Sequence, residues 1–354
     1  MVQCDVTSPP TLESLLRARI LVLDGAMGTQ LQRLCLAEAD FRGERFRRHS
    51  RDLYGDYDVL TLTRPDLVSR VHHEYLASGS DIIRTNTFSS TAVAQADFGL
   101  SPNAYELNLA GARLARAARD VWRARTPHQP RFVAGTMGPT NRSVSLPPGR
   151  DAIGIRGIPF GQLRDAYEEQ VRGLVDGGCD LLLVETVFDL ANAQAALAAM
   201  IEVCIAPPSR LPVLLSATVS DSSGRMLTGQ TIEAFRTAVA QAQPLCVGLN
   251  CSPAVHTVRP HLEELARHAD CFVSCHPSAG LPDVRGQYAS QPVDFADALR
   301  DLASKGLVNI VGGCCGTTPA HITEVVEAVR DMPPRRLRTF DDQDGTADPT
   351  EQSG

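Results

Sequence analysis

The stretch Gly306–Ile322, GLVNIVGGCCGTTPAHI, contains one complete β-then-α unit. Its first part, Gly306–Val311, is a short, largely apolar run, which is typical of a strand buried on both faces in a parallel sheet. Thr318-Pro319 then supplies a helix-start signal, with proline in the first turn. Between strand and helix lie glycines and the pair Cys314-Cys315. The unit therefore predicts both an architecture and a chemical site at the end of a strand.

Seven earlier apolar runs have the same character and also predict buried strands. They are Ile20–Leu23, Asp81–Thr85, Arg131–Thr136, Asp180–Val184, Leu211–Ala217, Leu245–Leu249 and Asp270–Ser274. Amphipathic stretches between and after them predict helices: Pro65–Ser78, Glu106–Arg123, Phe160–Asp176, Leu190–Glu202, Thr231–Ala242, Val258–Ala269, Phe295–Ser304 and Ala320–Arg330. Eight β-then-α units predict an α/β protein with a (β/α)₈ TIM barrel. A doubly wound open sheet is the alternative, but no break in composition divides the chain into halves.

The composition excludes several classes of protein. Of the 354 residues, 43% are hydrophobic, so a wholly disordered chain is excluded. A formal net charge of −7 argues against a surface that clamps nucleic acid. No charged-then-apolar leader begins the chain, and no apolar run approaches the roughly 18 to 20 residues of a membrane span. We therefore expect a cytoplasmic protein with neither nucleic acid nor a membrane as its partner.

The predicted domain organisation has three parts. We expect an N-terminal extension over residues 1–17, a barrel domain over 18–332, and a polar, disordered tail over 333–354. Two insertions, Gln32–Leu60 and Asn141–Gly161, follow the first and third strands. Both are expected above the carboxyl ends of the strands, where barrel enzymes place substrate loops.

The ten cysteines should not form a disulfide framework, because cytosolic thiols stay reduced. Seven of them are expected to fill space or to flank a site: Cys4, Cys35, Cys179, Cys204, Cys246, Cys271 and Cys275. Free cysteine is among the most buried residue types, which supports this reading. The other three require a different explanation.

Cys251 ends the sixth predicted strand and Cys314-Cys315 ends the eighth, so their side chains are predicted to meet at the barrel mouth. Neighbouring side chains on a regular strand point to opposite faces, but the flanking glycines permit a turn that aims both sulfurs inward. Three thiolates leave a tetrahedral zinc ion with one open position, as in catalytic sites. Ordinary buried cysteines and a vicinal disulfide remain the alternatives.

The charge of such a centre indicates its chemistry. Zinc with three thiolates carries a net negative charge, and a fourth thiolate from a substrate increases that charge. The substrate sulfur then stays electron-rich and nucleophilic, while the metal lowers the pKa of its thiol. The site therefore suits the transfer of an alkyl group to a substrate thiol better than the hydrolysis of peptides.

Two further strand ends carry candidate substrate-binding residues. Asp24–Thr29, DGAMGT, is a glycine-rich turn whose backbone amides could hold a carboxylate. Glu185 could bind an ammonium group, and Asp24 with Glu185 would suit an amino-acid zwitterion. A tight βα turn and a capping or salt-bridged carboxylate are the simpler structural readings. For His276 we favour a structural hydrogen-bonding role.

The motifs at the strand ends also resemble those of a known family. In chain order, between about residues 18 and 330, they are ILVLDGAMGT, DFRGERF, DIIRTNTF, VAGTMGPTNR, LLLVETVFD, GLNCS, HPSAGLP and VGGCCGTTPAHI. Together they resemble the homocysteine-binding module of cobalamin-dependent methionine synthase. The resemblance implies a zinc-dependent homocysteine S-methyltransferase that makes methionine. It also implies zinc ligands and a homocysteine pocket: Cys251, Cys314 and Cys315 for the metal, and Asp24, Gly25, Ala26, Met27 and Glu185 for the substrate.

Two departures from the family pattern affect the details. Ser278 stands where the family often has an asparagine that can occupy the open position of the zinc. The sequence therefore does not identify the fourth zinc ligand in the absence of substrate. The folate-binding and cobalamin-binding modules are missing from this chain. We therefore expect methylcobalamin, methylated ultimately by 5-methyltetrahydrofolate, on a separate partner subunit, unless the chain is a fragment. The alternatives are a stand-alone enzyme that uses S-methylmethionine or betaine, and a non-catalytic subunit that binds homocysteine and zinc.

Overall fold

A computed structural model describes residues 10–148, 151–152, 155–205, 210–219, 223–252 and 255–337. In chain order its strands are β1 (Leu21–Val22), β2 (Ile82–Arg84), β3 (Phe132–Met137), β4 (Arg142–Pro148), β5 (Asp151–Ala152), β6 (Ile155–Gly157), β7 (Leu181–Val187), β8 (Val213–Ala217), β9 (Cys246–Asn250), β10 (Phe272–His276) and β11 (Ile310–Val311). All but β4, β5 and β6 begin within the eight predicted apolar runs, and nearly all of their residues are buried. Burial on both faces explains why these runs lack polar alternation.

The eight strands of the large sheet form a closed parallel barrel. Their order in the sheet is β1-β11-β10-β9-β8-β7-β3-β2. A parallel bridge between Leu23 and Ile82 joins the two ends of this order. Two backbone hydrogen bonds support it, from Asp81 to Val22 at 2.7 Å and from Asp24 to Ile82 at 2.9 Å. The predicted (β/α)₈ TIM barrel is thus confirmed, and the open-sheet alternative is wrong.

Helices surround the barrel, and one follows each of its strands. They are α1 (Leu12–Ala18), α2 (Met27–Gln32), α3 (Glu38–Arg42), α4 (Leu60–Thr63), α5 (Pro65–Ala77), α6 (Ala92–Gln95), α7 (Ala104–Arg125), α8 (Phe160–Asp176), α9 (Leu190–Met200), α10 (Ile232–Ala240), α11 (Val255–His268), α12 (Pro292–Ser304) and α13 (Pro319–Val329). Thr318 caps α13 through its side chain, and Pro319 occupies the first turn, as the sequence predicts. Within the described ranges, no helix is long and apolar enough to cross a membrane.

The amino-terminal end of the barrel is closed by α1. Leu12 and Leu16, four residues apart and therefore on one helix face, pack against barrel residues such as Leu21, Phe272 and Ile310. Part of the predicted N-terminal extension is therefore a plug for the bottom of the barrel. Residues 1–9 lie outside the described residues.

The packed part of the chain continues past residue 333, where the sequence predicts a disordered tail. Arg335 is buried and donates hydrogen bonds to the carbonyl oxygens of Ala266, Ala269 and Cys271. A single arginine thereby satisfies several carbonyl groups near the bottom of the barrel. Residues 338–354 lie outside the described residues, and the domain boundaries themselves stay predictions.

The two insertions have different structures. Residues 33–60 form α3, a 3₁₀ turn at Tyr57–Val59 and loops fastened by ion pairs such as Arg64–Asp40. In residues 141–161, β4, β6 and β5 form a small three-stranded sheet. This sheet contacts the start of α9, where the Val144 amide donates to Asn192 Oδ1 at 2.9 Å. A Pro-, Gly- and Ser-rich loop sequence has therefore folded into local strands.

Candidate metal centre

Three cysteine sulfurs meet at the carboxyl ends of β9 and β11. The Sγ atoms of Cys251, Cys314 and Cys315 all lie within 4.8 Å of one another. Cys251 Sγ is 3.6 Å from Cys315 Sγ, and Cys314 Sγ is 4.0 Å from Cys315 Sγ. Tetrahedral zinc with Zn–S bonds near 2.3 Å places its sulfurs about 3.8 Å apart. The donor set and its spacing therefore fit a zinc ion, and this cluster could hold one.

Glycines allow the adjacent Cys314 and Cys315 to serve one centre. A Cβ atom on Gly313 would lie 2.3 Å from Thr317 Oγ1. Gly316 has φ +80°, and a Cβ there would lie 2.2 Å from the Tyr288 ring. The turn is held by the Cys314 amide, which donates to Pro277 O at 2.8 Å, and by Thr317 Oγ1, which donates to Cys314 O at 2.6 Å. The predicted strand-end turn is confirmed.

Cys251 reaches the cluster through an uncommon backbone conformation. Its φ is +53°, in the left-handed region that non-glycine residues seldom adopt. Thr186, at the irregularity in the pairing of β7 with β8, has φ +60°. Asn250 joins the two: its Oδ1 accepts from the Thr186 amide and its Nδ2 donates to Thr186 Oγ1, both at 2.8 Å. Such strain persists where the surrounding structure enforces it, and it is common at functional sites.

The three thiols influence one another strongly. Hydrogen bonds from the thiols of Cys251 and Cys314 lower the pKa of Cys315 to about 3. Hydrogen bonds with Cys314 and with Cys315 raise the pKa of Cys251, and its burial adds to this. Without a cation, the cluster therefore favours one thiolate hydrogen-bonded by two thiols. A divalent cation would favour loss of the remaining protons, because metal ligation requires thiolates.

The cysteine cluster forms part of the wall of a cavity of about 310 Å³ at the barrel mouth. Among the predicted substrate residues, the cavity is lined by Gly25, Ala26, Met27 and Glu185. Gly55–Asp58, from the first insertion, line it as well, whereas no described residue of the second insertion does. The first insertion therefore shapes the cavity, as expected for a substrate loop, whereas the described part of the second does not line it.

Asp24 has a different surrounding from the one predicted. It is buried and is not part of the cavity wall. Its Oδ1 accepts from Arg84 Nε at 2.8 Å and its Oδ2 accepts from the Arg84 backbone amide at 2.9 Å. Burial raises the pKa of Asp24 to about 6, although Arg84 opposes the rise. Its direct contact with a substrate stays a prediction, while its contact with Arg84 is observed.

Arg84 is a site residue that the sequence analysis missed. It ends β2, is 7% exposed and lines the cavity. Besides Asp24, its Nη1 donates to Glu185 Oε2 at 2.9 Å. Its Nη2 contacts the carbonyl oxygens of Asp24, Gly25 and Gly313 at 3.1, 2.8 and 2.7 Å. The available signal was an arginine at a strand end, in DIIRT, where several other strand ends carry acids, amides or thiols.

Glu185 lies between two positively charged or protonatable groups. Its Oε2 accepts from Arg84 and contacts His276 Nε2 at 3.2 Å. Burial disfavours the carboxylate, but Arg84 and His276 outweigh this and lower the pKa of Glu185 to about 2. Its Oε1 has no hydrogen-bond partner in the part of the chain that the structure describes. The predicted structural role of His276 agrees with this contact.

A second acidic pair, Asp56 and Asp58, lines the cavity and was also missed. Asp56 and Asp58 are both buried, and Asp58 Oδ2 accepts from the Ser89 amide at 2.6 Å and from Ser90 Oγ at 2.8 Å. Asp56 Oδ2 has no hydrogen-bond partner among the described residues. Burial raises the pKa of Asp56 to about 6, and burial together with Asp56 raises that of Asp58 to about 7.

The remaining cysteines are mostly buried, as predicted. Cys179, Cys204, Cys246 and Cys275 are buried and Cys271 is partly buried, while Cys4 lies outside the described residues. Cys35 is the exception, because it is exposed on the first insertion. Its φ of +48° belongs to the turn after α2, which carries the side chain away from the core.

Comparison with known proteins agrees with this geometry. A protein-family model for homocysteine S-methyltransferases matches residues 21–329. The chain belongs to the homocysteine S-methyltransferase family. It is therefore a methyltransferase, and the family resemblance inferred from its motifs is confirmed.

Solved structures of one family relative are also similar. The metallated form of the homocysteine methyltransferase MmuM from Escherichia coli is 25% identical, with a TM-score of 0.68, and the match covers 87% of this chain and 95% of that chain. The oxidized form gives 23% identity and a TM-score of 0.68, and the apo form 22% and 0.64. At these lower identities the likeness concerns the fold alone. All three matches agree with a single barrel.

Proposed function

We propose that this family member is a zinc-dependent homocysteine S-methyltransferase that makes methionine. One observation carries the proposal: three clustered cysteine sulfurs, at a spacing that fits tetrahedral zinc, line the same cavity as Glu185. Sulfur ligands and a carboxylate on one wall suit a small molecule that carries both a thiol and an ammonium group, as homocysteine does.

Cys251, Cys314 and Cys315 are the proposed zinc ligands. When bound, zinc lowers the pKa of the homocysteine thiol, so that the sulfur is a thiolate at neutral pH. Three protein ligands would leave the fourth position of a tetrahedral zinc ion for the substrate. We assign no fourth zinc ligand for the state without substrate. Ser278 Oγ lies beside the cluster, 3.8 Å from Cys251 Sγ.

The other residues position the substrate for methyl transfer. Glu185 is proposed to hold the ammonium group, and the turn Gly25–Met27 lines the same cavity. The homocysteine sulfur then attacks the methyl carbon of the donor. A carbon–sulfur bond forms, the bond between donor and methyl carbon breaks, and the donor keeps its electron pair. No general base is required, since the thiol has already lost its proton.

The proposed methyl donor is methylcobalamin on a separate partner subunit, methylated ultimately by 5-methyltetrahydrofolate. The motif set, with DFRGERF in the first insertion, supports this choice. The cavity also opens at the barrel mouth, where a partner could present a methyl group. We include the cytoplasmic location in the proposal, because the cysteines of the described residues are all free thiols.

A stand-alone enzyme with a small cationic donor is the second candidate. Asp56 and Asp58 favour it, because they line the cavity as buried acids without an ion-pair partner among the described residues. S-methylmethionine and betaine both carry a positive charge that such acids would attract. A match that covers 95% of the MmuM chain also agrees with a single-chain enzyme. A non-catalytic subunit that binds homocysteine and zinc is the third candidate.

The donor test uses the full chain, loaded with zinc and checked at one zinc ion per chain. Protein and homocysteine are mixed with free methylcobalamin, S-methylmethionine or betaine, and methionine is measured by mass spectrometry. We expect methionine from methylcobalamin, loss of activity after chelation, and recovery when zinc is returned. Activity with a small donor alone would select the second candidate. Homocysteine binding without methionine from any donor, including methylcobalamin on the candidate partner subunit, would contradict catalysis.

A further inference from the structure

Arg84 has one unused hydrogen-bond donor beside an unused acceptor. A guanidinium group has five N–H donors. Nε donates its N–H to Asp24, and Nη2 donates to three carbonyl oxygens. Nη1 donates one of its two N–H groups to Glu185. The second N–H of Nη1 has no acceptor within the described ranges. Glu185 Oε1 has no donor there either, so the bonded pair presents one free donor and one free acceptor.

Both groups face the substrate cavity and are held rigidly. Arg84 and Glu185 line the same cavity as the three cysteines. Arg84 Nη2 also binds Gly313 O, one residue before Cys314, so the guanidinium is tied to the loop that carries two of the sulfurs. The distance between this pair and the metal centre is therefore fixed by direct contacts.

We infer that Arg84 binds the carboxylate of the amino-acid substrate while Glu185 binds its ammonium group. An α-amino acid carries both groups on one carbon, so an adjacent donor and acceptor match it. Arg84 would thus be the residue that selects an amino acid among thiols. This inference rests on the proposed function of the cysteine centre and names the substrate class that this centre accepts.

The charges of the neighbouring groups agree with this assignment. Asp24 Oδ1 pairs with the Arg84 guanidinium, and Glu185 supplies a second negative charge. The three side chains together carry one net negative charge when all are ionised. A zwitterion adds no net charge to this group, whereas a thiol with an amine alone would leave the Arg84 donor unpaired.

The turn Gly25–Met27 is a weaker candidate for the carboxylate. The amide of Ala26 already donates to Thr317 Oγ1 at 3.2 Å. The helix that follows, α2, has six residues, which is too short for a strong field at its N-terminus. Arg84 therefore offers the better-defined partner for the carboxylate in this cavity.

The experiment compares two thiols that differ in one group. Homocysteine and 3-aminopropane-1-thiol, which lacks the carboxylate, are titrated into zinc-loaded protein, and binding is measured by calorimetry. Wild type should bind homocysteine roughly 10- to 100-fold more tightly, the range for a hydrogen bond to a charged group. In Arg84→Gln, the two thiols should bind with about equal affinity, and the zinc content should be retained.

Two further variants separate recognition from folding. Arg84→Lys keeps a cation between Asp24 and Glu185 but lacks the planar fork, so it should fold, bind zinc and lose most of the preference. Arg119→Gln removes a buried arginine that pairs with Asp180 away from the cavity, and it should leave the preference unchanged.

The outcomes distinguish this inference from the proposed function. An unchanged preference in both Arg84 variants would overturn the assignment of Arg84, whatever the activity. A preference lost in Arg84→Gln and Arg84→Lys, but kept in Arg119→Gln, would support it even if no donor yields methionine. If zinc-loaded wild type bound neither thiol, the proposed function would fail and the inference with it.

Discussion

Two arginine–carboxylate pairs lie near opposite ends of strand β7, the first partly buried and the second buried. At the start of the strand, Arg119 Nη1 donates to both oxygens of Asp180, at 2.7 and 2.6 Å, and the Val133 amide donates to Asp180 Oδ2 at 2.7 Å. At the other end, Arg84 Nη1 contacts one oxygen of Glu185 at 2.9 Å. The first pair is saturated by its neighbours, whereas the second leaves a donor and an acceptor open toward a cavity.

This difference extends to the two ends of the barrel. The bottom is closed by α1, whose leucines fill the space between the strands, and by Arg335. The mouth contains three clustered sulfurs, the non-glycine residues Thr186 and Cys251 with positive φ, and buried acids. Asp180 and Arg335 at the bottom have several hydrogen-bond partners and stabilise the fold, whereas Asp56 Oδ2 and Glu185 Oε1 at the mouth have none among the described residues. Changes at the mouth should therefore affect function, and changes at the bottom should affect stability.

The largest effect is expected from Cys314→Ser. Serine replaces a thiolate ligand with a hydroxyl that seldom loses its proton, so the centre should lose its zinc and methionine formation should fall by about a thousandfold or more. Zinc content and the initial rate of methionine formation are the measurements. Cys35→Ser, at an exposed cysteine, is the matched control and should retain both. A Cys314→Ser protein with full activity would remove the cysteine centre from the mechanism.

Leu16→Ala tests the bottom of the barrel. Leu16 is fully buried in α1, and loss of its side chain should lower the free energy of unfolding by roughly 2 to 5 kcal/mol. Denaturant unfolding measures this change, while the KM for homocysteine should stay at the wild-type value. Glu13→Ala, at an exposed residue of the same helix, should change stability little. A change in KM without a change in stability would contradict the assignment of stability to the bottom of the barrel and of function to its mouth.

Glu185→Gln and Asp180→Asn compare the ends of one strand directly. Glutamine removes the charge proposed to bind the ammonium group, so the KM for homocysteine should rise roughly 10- to 100-fold. Asp180→Asn should instead weaken the pair with Arg119 and lower stability without a comparable change in KM. Steady-state kinetics and denaturant unfolding of both variants provide the test. Equal KM values in the two variants would contradict a substrate contact at Glu185.

Asp56→Asn should give the smallest effect, and the size of that effect depends on pH. Folding raises the pKa of Asp56 from 3.8 to about 6, so the folded state disfavours the carboxylate. The stability of wild type should therefore fall as pH rises from about 4 to about 6. Asparagine avoids this, so the variant should be more stable by about 1 to 2 kcal/mol at pH 8 and equal below pH 4. Unfolding at several pH values measures the difference, with Asp52→Asn on the exposed part of the insertion as control.

The sequence by itself determined the architecture and the cysteine centre. Continuous apolar runs follow from burial on both faces of parallel strands, and eight of them leave few topologies. Because a parallel barrel brings all carboxyl ends to one mouth, residues such as Cys251, Cys314 and Glu185 could be placed near one another from their positions at strand ends. The family motifs pointed to the same residues.

Tertiary structure alone decided how the buried charges pair. Arg84 and Glu185 are 101 positions apart in the chain, and no local pattern indicates that they touch or that Asp24 faces the arginine rather than the cavity. Segments without a clear local pattern, such as α1 as the barrel plug and Arg335 beyond the last helix, also acquired their roles only through packing. Apolar runs can be recognised from neighbouring residues in the sequence. The partner of a buried charge, in contrast, depends on which distant groups the closed barrel brings within hydrogen-bond distance.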